Sequence, residues 1–162
     1  MSATWSLPTL AATEGLGKAL AQHCPWGLEP RVVYLSGELG AGKTTLAAAA
    51  IQSLGIEEPV RSPSYALVEC YPVGARQAVH VDLYRLRGAD ELEQLGLRDY
   101  LTAQTLFFIE WPERAPDALP APDLSIGLET VPIRQASLQA CGPSAEAWLT
   151  AILTTLRSQV ES

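Results

Sequence analysis

Val32-Val33-Tyr34-Leu35 runs straight into Ser36-Gly37-Glu38-Leu39-Gly40-Ala41-Gly42-Lys43-Thr44, and the join between the two decides the fold. The β-branched and aromatic run favours a strand. Gly37, Gly40 and Gly42 then let the backbone turn tightly and aim successive N–H groups outward, with no Cβ in the path of an anion. Thr45-Leu46-Ala47-Ala48-Ala49-Ala50-Ile51-Gln52-Ser53-Leu54 follows, rich in strong helix formers, with Ala47, Ala50, Ile51 and Leu54 on one face. Gly55 stands where a helix C-cap belongs. Strand, glycine loop and helix in this order make a phosphate-binding P-loop. Lys43 is placed to reach the β- and γ-phosphates of a nucleoside triphosphate, and Thr44 to put its hydroxyl on Mg²⁺. The helix N-terminus adds its partial positive charge at the same point.

The chain has 162 residues, enough for one domain over 1–162 with a core that needs neither disulfide nor metal. Eleven basic against eighteen acidic side chains leave a net charge of −7, and Lys18 and Lys43 are the two lysines. An acidic surface repels phosphate backbones, so any contact with RNA is expected to come through a partner or through a local arginine cluster. Cys24, Cys70 and Cys141 are odd in number and widely spaced, and they read as buried thiols in a reducing compartment. Met1-Ser2-Ala3-Thr4-Trp5 lacks the charged and apolar regions of a signal peptide, and no apolar run reaches spanning length. The expected location is the cytoplasm, away from membranes.

Outward from the P-loop, Leu16, Ala19, Leu20 and His23 follow helical spacing between Thr9 and about His23, although Gly15 and Gly17 weaken that helix. Ala66 to Tyr71 reads as an edge strand ended by Pro72. Gln77 to Tyr84 alternates, with Val79, Val81 and Leu83 toward a core and His80, Asp82 and Tyr84 on a face that carries chemistry. Pro72-Val73-Gly74-Ala75 joins these strands as a hairpin. Ala89 to Leu95 is a short acidic helix, and Leu97 to Leu101 forms a further turn. Thr105-Leu106-Phe107-Phe108-Ile109 is a strand buried on both sides, delivering Glu110 and Trp111 at its C-terminal end, where ligand sites of open α/β sheets lie. Leu124 to Glu129 and Ile133 to Ala140 pair around Pro132, and Ser144 and Glu146 open a terminal helix with Trp148, Leu149, Ile152, Leu153 and Leu156 at core spacing. The fold expected is an α/β P-loop NTPase, with a mixed parallel and antiparallel central sheet flanked by helices in three layers.

A triphosphatase needs a second acid, because one threonine cannot fix the octahedron of Mg²⁺. Glu110, after a hydrophobic strand, holds the position of a Walker B acid, and Asp82 is the other candidate. Ser62-Pro63-Ser64-Tyr65 lies where switch loops of nucleotide hydrolases sit, and Arg85 and Arg87 offer phosphate or partner contacts. Trp111 is either a platform for a base or partner, or core.

Together, Gly37 to Thr45, Ser62-Pro63-Ser64-Tyr65, His80-Val81-Asp82-Leu83-Tyr84-Arg85-Leu86 and Glu110-Trp111-Pro112-Glu113 resemble the TsaE (YjeE) family, the P-loop ATPases of bacterial tRNA threonylcarbamoyladenosine biosynthesis. The resemblance runs from Pro8 to about Leu128. It implies ATP and Mg²⁺ as ligands, with nucleotide held by Thr9, Leu10, Gly40, Ala41, Gly42, Lys43, Thr44 and Thr45. It implies Mg²⁺ on Thr44 and Glu110, and catalytic roles for Lys43, Asp82 and Glu110, without saying which carboxylate positions the attacking water. Ser64, where the family usually has threonine, and Trp111, on a mobile wall of the site, would face the partner. The implied partners are a threonylcarbamoyl-transferase metalloprotein (TsaD-like) and its inactive paralogue (TsaB-like), whose complex ATP hydrolysis would reset. Ile133 to Ser162 matches no motif.

Three other classes compete. A GTPase needs an N-K-x-D base-reading motif, which lysines at 18 and 43 alone cannot supply. A small-molecule kinase is the main alternative, but the downstream arginines form no clear lid. A nonenzymatic nucleotide-binding regulator fits if hydrolysis is negligible. No cis arginine finger is evident, so hydrolysis by the chain alone is expected to be slow and completed by a partner.

Overall fold

Alternating side chains along the strands sort this chain into two cores, one on each side of a single sheet. The computed structural model describes Met1–Ser162. In chain order the elements are β1 (Ser2–Ser6), α1 (Leu10–Gln22), β2 (Arg31–Ser36), α2 (Lys43–Ser53), β3 (Val68–Val73), β4 (Arg76–Asp82), α3 (Ala89–Gln94), β5 (Thr105–Glu110), β6 (Leu124–Glu129), β7 (Gln135–Ala140) and α4 (Pro143–Glu161). Short 3-10 turns occupy Leu97–Tyr100 and Pro112–Arg114. The seven strands lie in the order β1-β7-β6-β2-β5-β4-β3. β6, β2, β5 and β4 run parallel; hairpins add β3 on one side and β7 on the other, and the N-terminal β1 joins β7, all antiparallel. The sheet is therefore mixed, as its sequence implied.

Val33, Leu35, Leu106, Phe108, Leu124, Ile126, Ala136 and Leu138 face one way and pack with the buried residues of α1, α2 and α4. Val32, Val79, Val81, Phe107 and Ile109 face the other way, under Leu92 of α3, Leu97 and Ala115. This second layer covers only the β2, β5 and β4 part of the sheet. Beyond it, the outward residues are Ser125 and Gly127 of β6, Ser137 and Gln139 of β7, and Ser2 and Thr4 of β1, as an antiparallel sheet with one solvated face requires.

Six local readings change. β1 escaped the sequence reading because only Ala3 and Trp5 among its five residues are apolar; the partner β7 makes it a strand, and Ala140 N–H donates to Met1 O at 2.9 Å. Pro72 lies inside β3 instead of ending it. Opposite it, Gln77 spends its N–H on Gln104 O at 3.0 Å, away from β3, so the missing proline donor costs no ladder bond. Both faces of β4 are buried from Ala78 to Asp82, since β4 lies between β3 and β5 and has helices on its chemical face. The terminal helix starts at Pro143 with Gly142 as N-cap, and β7 begins at Gln135 instead of Ile133. Of the three thiols, Cys24 is buried, Cys70 is half-buried and Cys141 is exposed; none is bonded to another.

Gly17 explains itself in the packing of α1 on α2. A Cβ there would stand 2.3 Å from Leu46 O and 3.1 Å from Ala50 N, so the glycine that weakens α1 in isolation is what lets the two helices meet.

Candidate functional site

The C-terminal ends of β2, β4 and β5 meet at one edge, and the P-loop crosses it. Gly37 has φ +141°, and a Cβ on it would lie 2.6 Å from Leu128 O, so only glycine lets the loop leave β2 beside β6. Gly42, with φ 108°, caps α2, whose first residue is Lys43. The loop, the first turn of α2 and the ends of β4 and β5 enclose an open cavity of about 530 Å³.

Lys43 is buried, with its Nζ donating to Gly37 O at 2.5 Å and Glu38 O at 2.8 Å. Its ammonium also lies 4.3 Å from the centre of the Trp111 ring. Burial pushes the lysine below its ordinary pKa, and the charges of Glu110, Glu113 and Asp82 pull it partly back.

Glu110, only 2 % exposed, receives the Thr44 hydroxyl at 2.9 Å on Oε1 and 3.0 Å on Oε2. Its Oε2 also lies 2.6 Å from His80 Nε2. Asp82 sits beside it in register across β4 and β5. Asp82 Oδ1 accepts the Tyr84 N–H at 3.0 Å and Oδ2 accepts the Ser62 hydroxyl at 2.5 Å; Ser62 in turn lies 3.0 Å from Ser64. The loop at Ser62 to Ser64 is thus tied to the carboxylate edge.

Trp111 adopts φ 58°, which turns the chain after β5 and lays the indole across the cavity against Tyr84, ring centres 5.1 Å apart. The alternative between platform and core resolves toward a half-buried wall of the cavity.

Leu10, Gly40, Gly42, Lys43, Thr44, Thr45, Ser64, Asp82, Glu110 and Trp111 all line this one cavity. Two residues expected near nucleotide do not. Ala41 is packed into the core, and Thr9 opens α1, its hydroxyl accepting the Ala12 N–H at 3.1 Å. Arg134 was missed by sequence reading. It stands in the turn between β6 and β7, and its Nη2 donates to Gly40 O at 3.2 Å at the mouth of the cavity. No local pattern links a hairpin turn to a loop 94 residues away.

Hard oxygen donors suit Mg²⁺, and the Thr44 hydroxyl against the Glu110 carboxylate is a donor set of that kind. The single imidazole near it is engaged with Glu110 and does not line the cavity.

Parallel strands ending at a phosphate loop, with an acid from the neighbouring strand set on that loop's threonine, define the class as a P-loop nucleotide-binding protein. The family model described as "Threonylcarbamoyl adenosine biosynthesis protein TsaE" matches residues 7–136, and the chain belongs to that family. The Haemophilus influenzae TsaE is 43 % identical over 98 residues, covering 60 % of this chain and 62 % of the relative. The aligned part thus spans somewhat under two thirds of that relative. The Bacillus subtilis protein is 38 % identical over 122 residues, 75 % of this chain and 74 % of the relative, and the Streptomyces coelicolor protein is 34 % identical over 150 residues, 87 % and 97 %. The crystal structure of Bacillus subtilis YdiB has the same fold, with a TM-score of 0.77 over 96 % of each chain at 24 % identity. No helix is long and apolar enough to cross a membrane.

Proposed function

We propose that this chain is a Mg²⁺-dependent ATPase that serves threonylcarbamoyladenosine modification of tRNA, its hydrolysis stimulated by, and resetting, a transferase complex. The observation that supports this most directly is the Thr44 hydroxyl held against both oxygens of Glu110 at the floor of the P-loop cavity. Membership of the TsaE family supplies the biological setting and displaces the small-molecule kinase as the competing reading.

Thr44 and Glu110 are the residues that would hold the ion, which supplies charge neutralisation for the phosphates. Lys43 now spends two N–H groups on carbonyls of its own loop; a phosphate oxygen offers the same ammonium a charged acceptor and a stronger bond. The glycine-loop N–H groups and the N-terminus of α2 face the same anion. Asp82 is the carboxylate available to orient water. Each of its oxygens already accepts one hydrogen bond, and the one from Ser62 ties the carboxylate to the loop, so Oδ2 is freest to orient water when that bond opens. A partner that shifts the loop from Ser62 to Ser64 would open it, which gives a physical reason for slow turnover alone. The natural partners are a TsaD-like transferase metalloprotein and its TsaB-like inactive paralogue, with tRNA kept at one remove by a chain of net charge −7.

The test is steady-state ATP turnover with and without the purified partner complex, alongside a pull-down. Acceleration by the complex is expected. Equal turnover in both conditions overturns the partner-driven reading, and phosphorylation of a small molecule would restore the kinase.

A further inference from the structure

We infer that His80 is a positioning residue for Glu110, locking from behind the carboxylate that the proposed reading assigns to Mg²⁺; the inference rests on that reading. His80 and Asp82 project from the same face of β4, and Phe108 and Glu110 from the matching face of β5. His80 therefore lies one step deeper than Glu110, and its ring is 0 % exposed. Its Nε2 meets Glu110 Oε2 at 2.6 Å, whereas its Nδ1 has no hydrogen-bond partner. A hydrogen on Nδ1 would be stranded there, so the surroundings select the tautomer with hydrogen on Nε2, the one that donates to Glu110.

Glu110 has three side-chain torsions and only one other side-chain partner, Thr44. Thr44 approaches from the cavity, where its oxygen must also serve the ion; His80 approaches from the core and has no second duty. With Oε2 pinned from inside, Oε1 stays turned to the cavity. Imidazole and carboxylate together form a relay of the kind that orients metal ligands elsewhere, where loss of the outer partner typically costs about 10- to 100-fold in metal affinity. A core histidine with only a packing role would leave metal affinity untouched.

The experiment compares the wild type with His80→Leu, which keeps bulk without a donor, and His80→Gln, which restores an N–H. ADP binding is titrated by calorimetry with and without Mg²⁺, so no turnover is needed, and KM and kcat follow for ATP. Metal-free ADP affinity is expected to stay within about threefold of wild type in both variants. The Mg²⁺ requirement should rise about 10- to 100-fold in His80→Leu and return most of the way in His80→Gln. In the wild type, the His80 Nε2 resonance should report a protonated nitrogen and shift when Mg²⁺ joins the ADP complex; this readout decides the matter if the leucine variant does not fold. Wild-type Mg²⁺ dependence in folded His80→Leu, or an imidazole indifferent to Mg²⁺, overturns the positioning role alone. ADP binding by the wild type that ignores Mg²⁺ overturns the metal reading and this inference with it.

Discussion

Glu110→Gln keeps the shape of the side chain and removes its charge, and the surrounding hydrogen bonds allow the consequence to be worked out. Thr44 and His80 both donate to the carboxylate, whereas the amide has one oxygen and one nitrogen to offer. With the amide oxygen toward Thr44, the NH₂ faces His80, whose hydrogen must move to the unpartnered Nδ1. With the amide reversed, the NH₂ faces Thr44, whose hydroxyl must turn its hydrogen out to the cavity, and both bonds to the carboxylate become neutral ones. Either way the charge-assisted bonds are weakened, at a cost of about 1–3 kcal/mol. The variant also loses the charge that does most to hold Lys43 in its ammonium form against burial. For a domain of this size each kcal/mol is worth about 2–4 °C in Tm, so a fall of roughly 2–12 °C is expected by thermal melting. Mg²⁺-dependent hydrolysis in the presence of the partner complex should fall on the order of a hundred- to a thousandfold, the scale for removing one preorganised electrostatic group. Metal-free nucleotide should still bind. A variant that melts with the wild type and hydrolyses ATP at the wild-type rate refutes both the hydrogen-bond reasoning and the role given to Glu110.

Gly17→Ala forces a methyl to within 2.3 Å of Leu46 O, and a loss of about 1–3 kcal/mol or more is expected in a denaturant titration, whereas Gly15→Ala, whose nearest neighbour is a flexible Gln159 oxygen at 3.8 Å, should gain about 0.5–1 kcal/mol. Equal effects at the two positions would discredit the close α1–α2 approach. Lys43 has a folded pKa below its ordinary 10.5, so the unfolded chain binds the extra proton between the two values and this group makes stability rise with pH across that window. Lys43→Met should flatten that rise and weaken ATP binding; an unchanged slope in pH-dependent denaturation counts against the burial of a charged lysine. Burial raises the Cys24 pKa from 9.0 to about 12, so at pH 8 a thiol reagent should label exposed Cys141 fastest and Cys24 slowest, with the difference erased in denaturant. Rapid labelling of Cys24 in the folded protein would contradict its place in the core.

The readable parts of the chain were those whose conformation is set by neighbours within a turn or two. Glycines at Gly37, Gly40 and Gly42 between a β-branched strand and an alanine-rich helix leave few backbone solutions, and the loop forms as expected. β5 was legible from its unbroken apolar run, the two hairpins from Gly74 and Pro132, and α4 from Trp148, Leu149, Ile152, Leu153 and Leu156, all of them buried. Glu110 stood out because an acid after a hydrophobic strand holds the Walker B position, and Asp82 because it shares a strand face with His80 and Tyr84.

Strand order, by contrast, depends on which surfaces fit after the chain has closed long loops, and no short window of residues records that. β1 is a strand because β7 offers it a ladder. Pro72 is tolerated because β3 lies at an edge. Arg134 reaches Gly40 because β6, which opens the hairpin carrying it, pairs with the P-loop strand β2, and His80 reaches Glu110 because β4 and β5 lie side by side in register. The chemistry of the phosphate loop was therefore written locally, in backbone torsions and helix propensity. Which side chains hold its carboxylate and guard its mouth was settled by packing between segments far apart in the chain, since hydrogen bonds act over about 3 Å whatever the sequence separation.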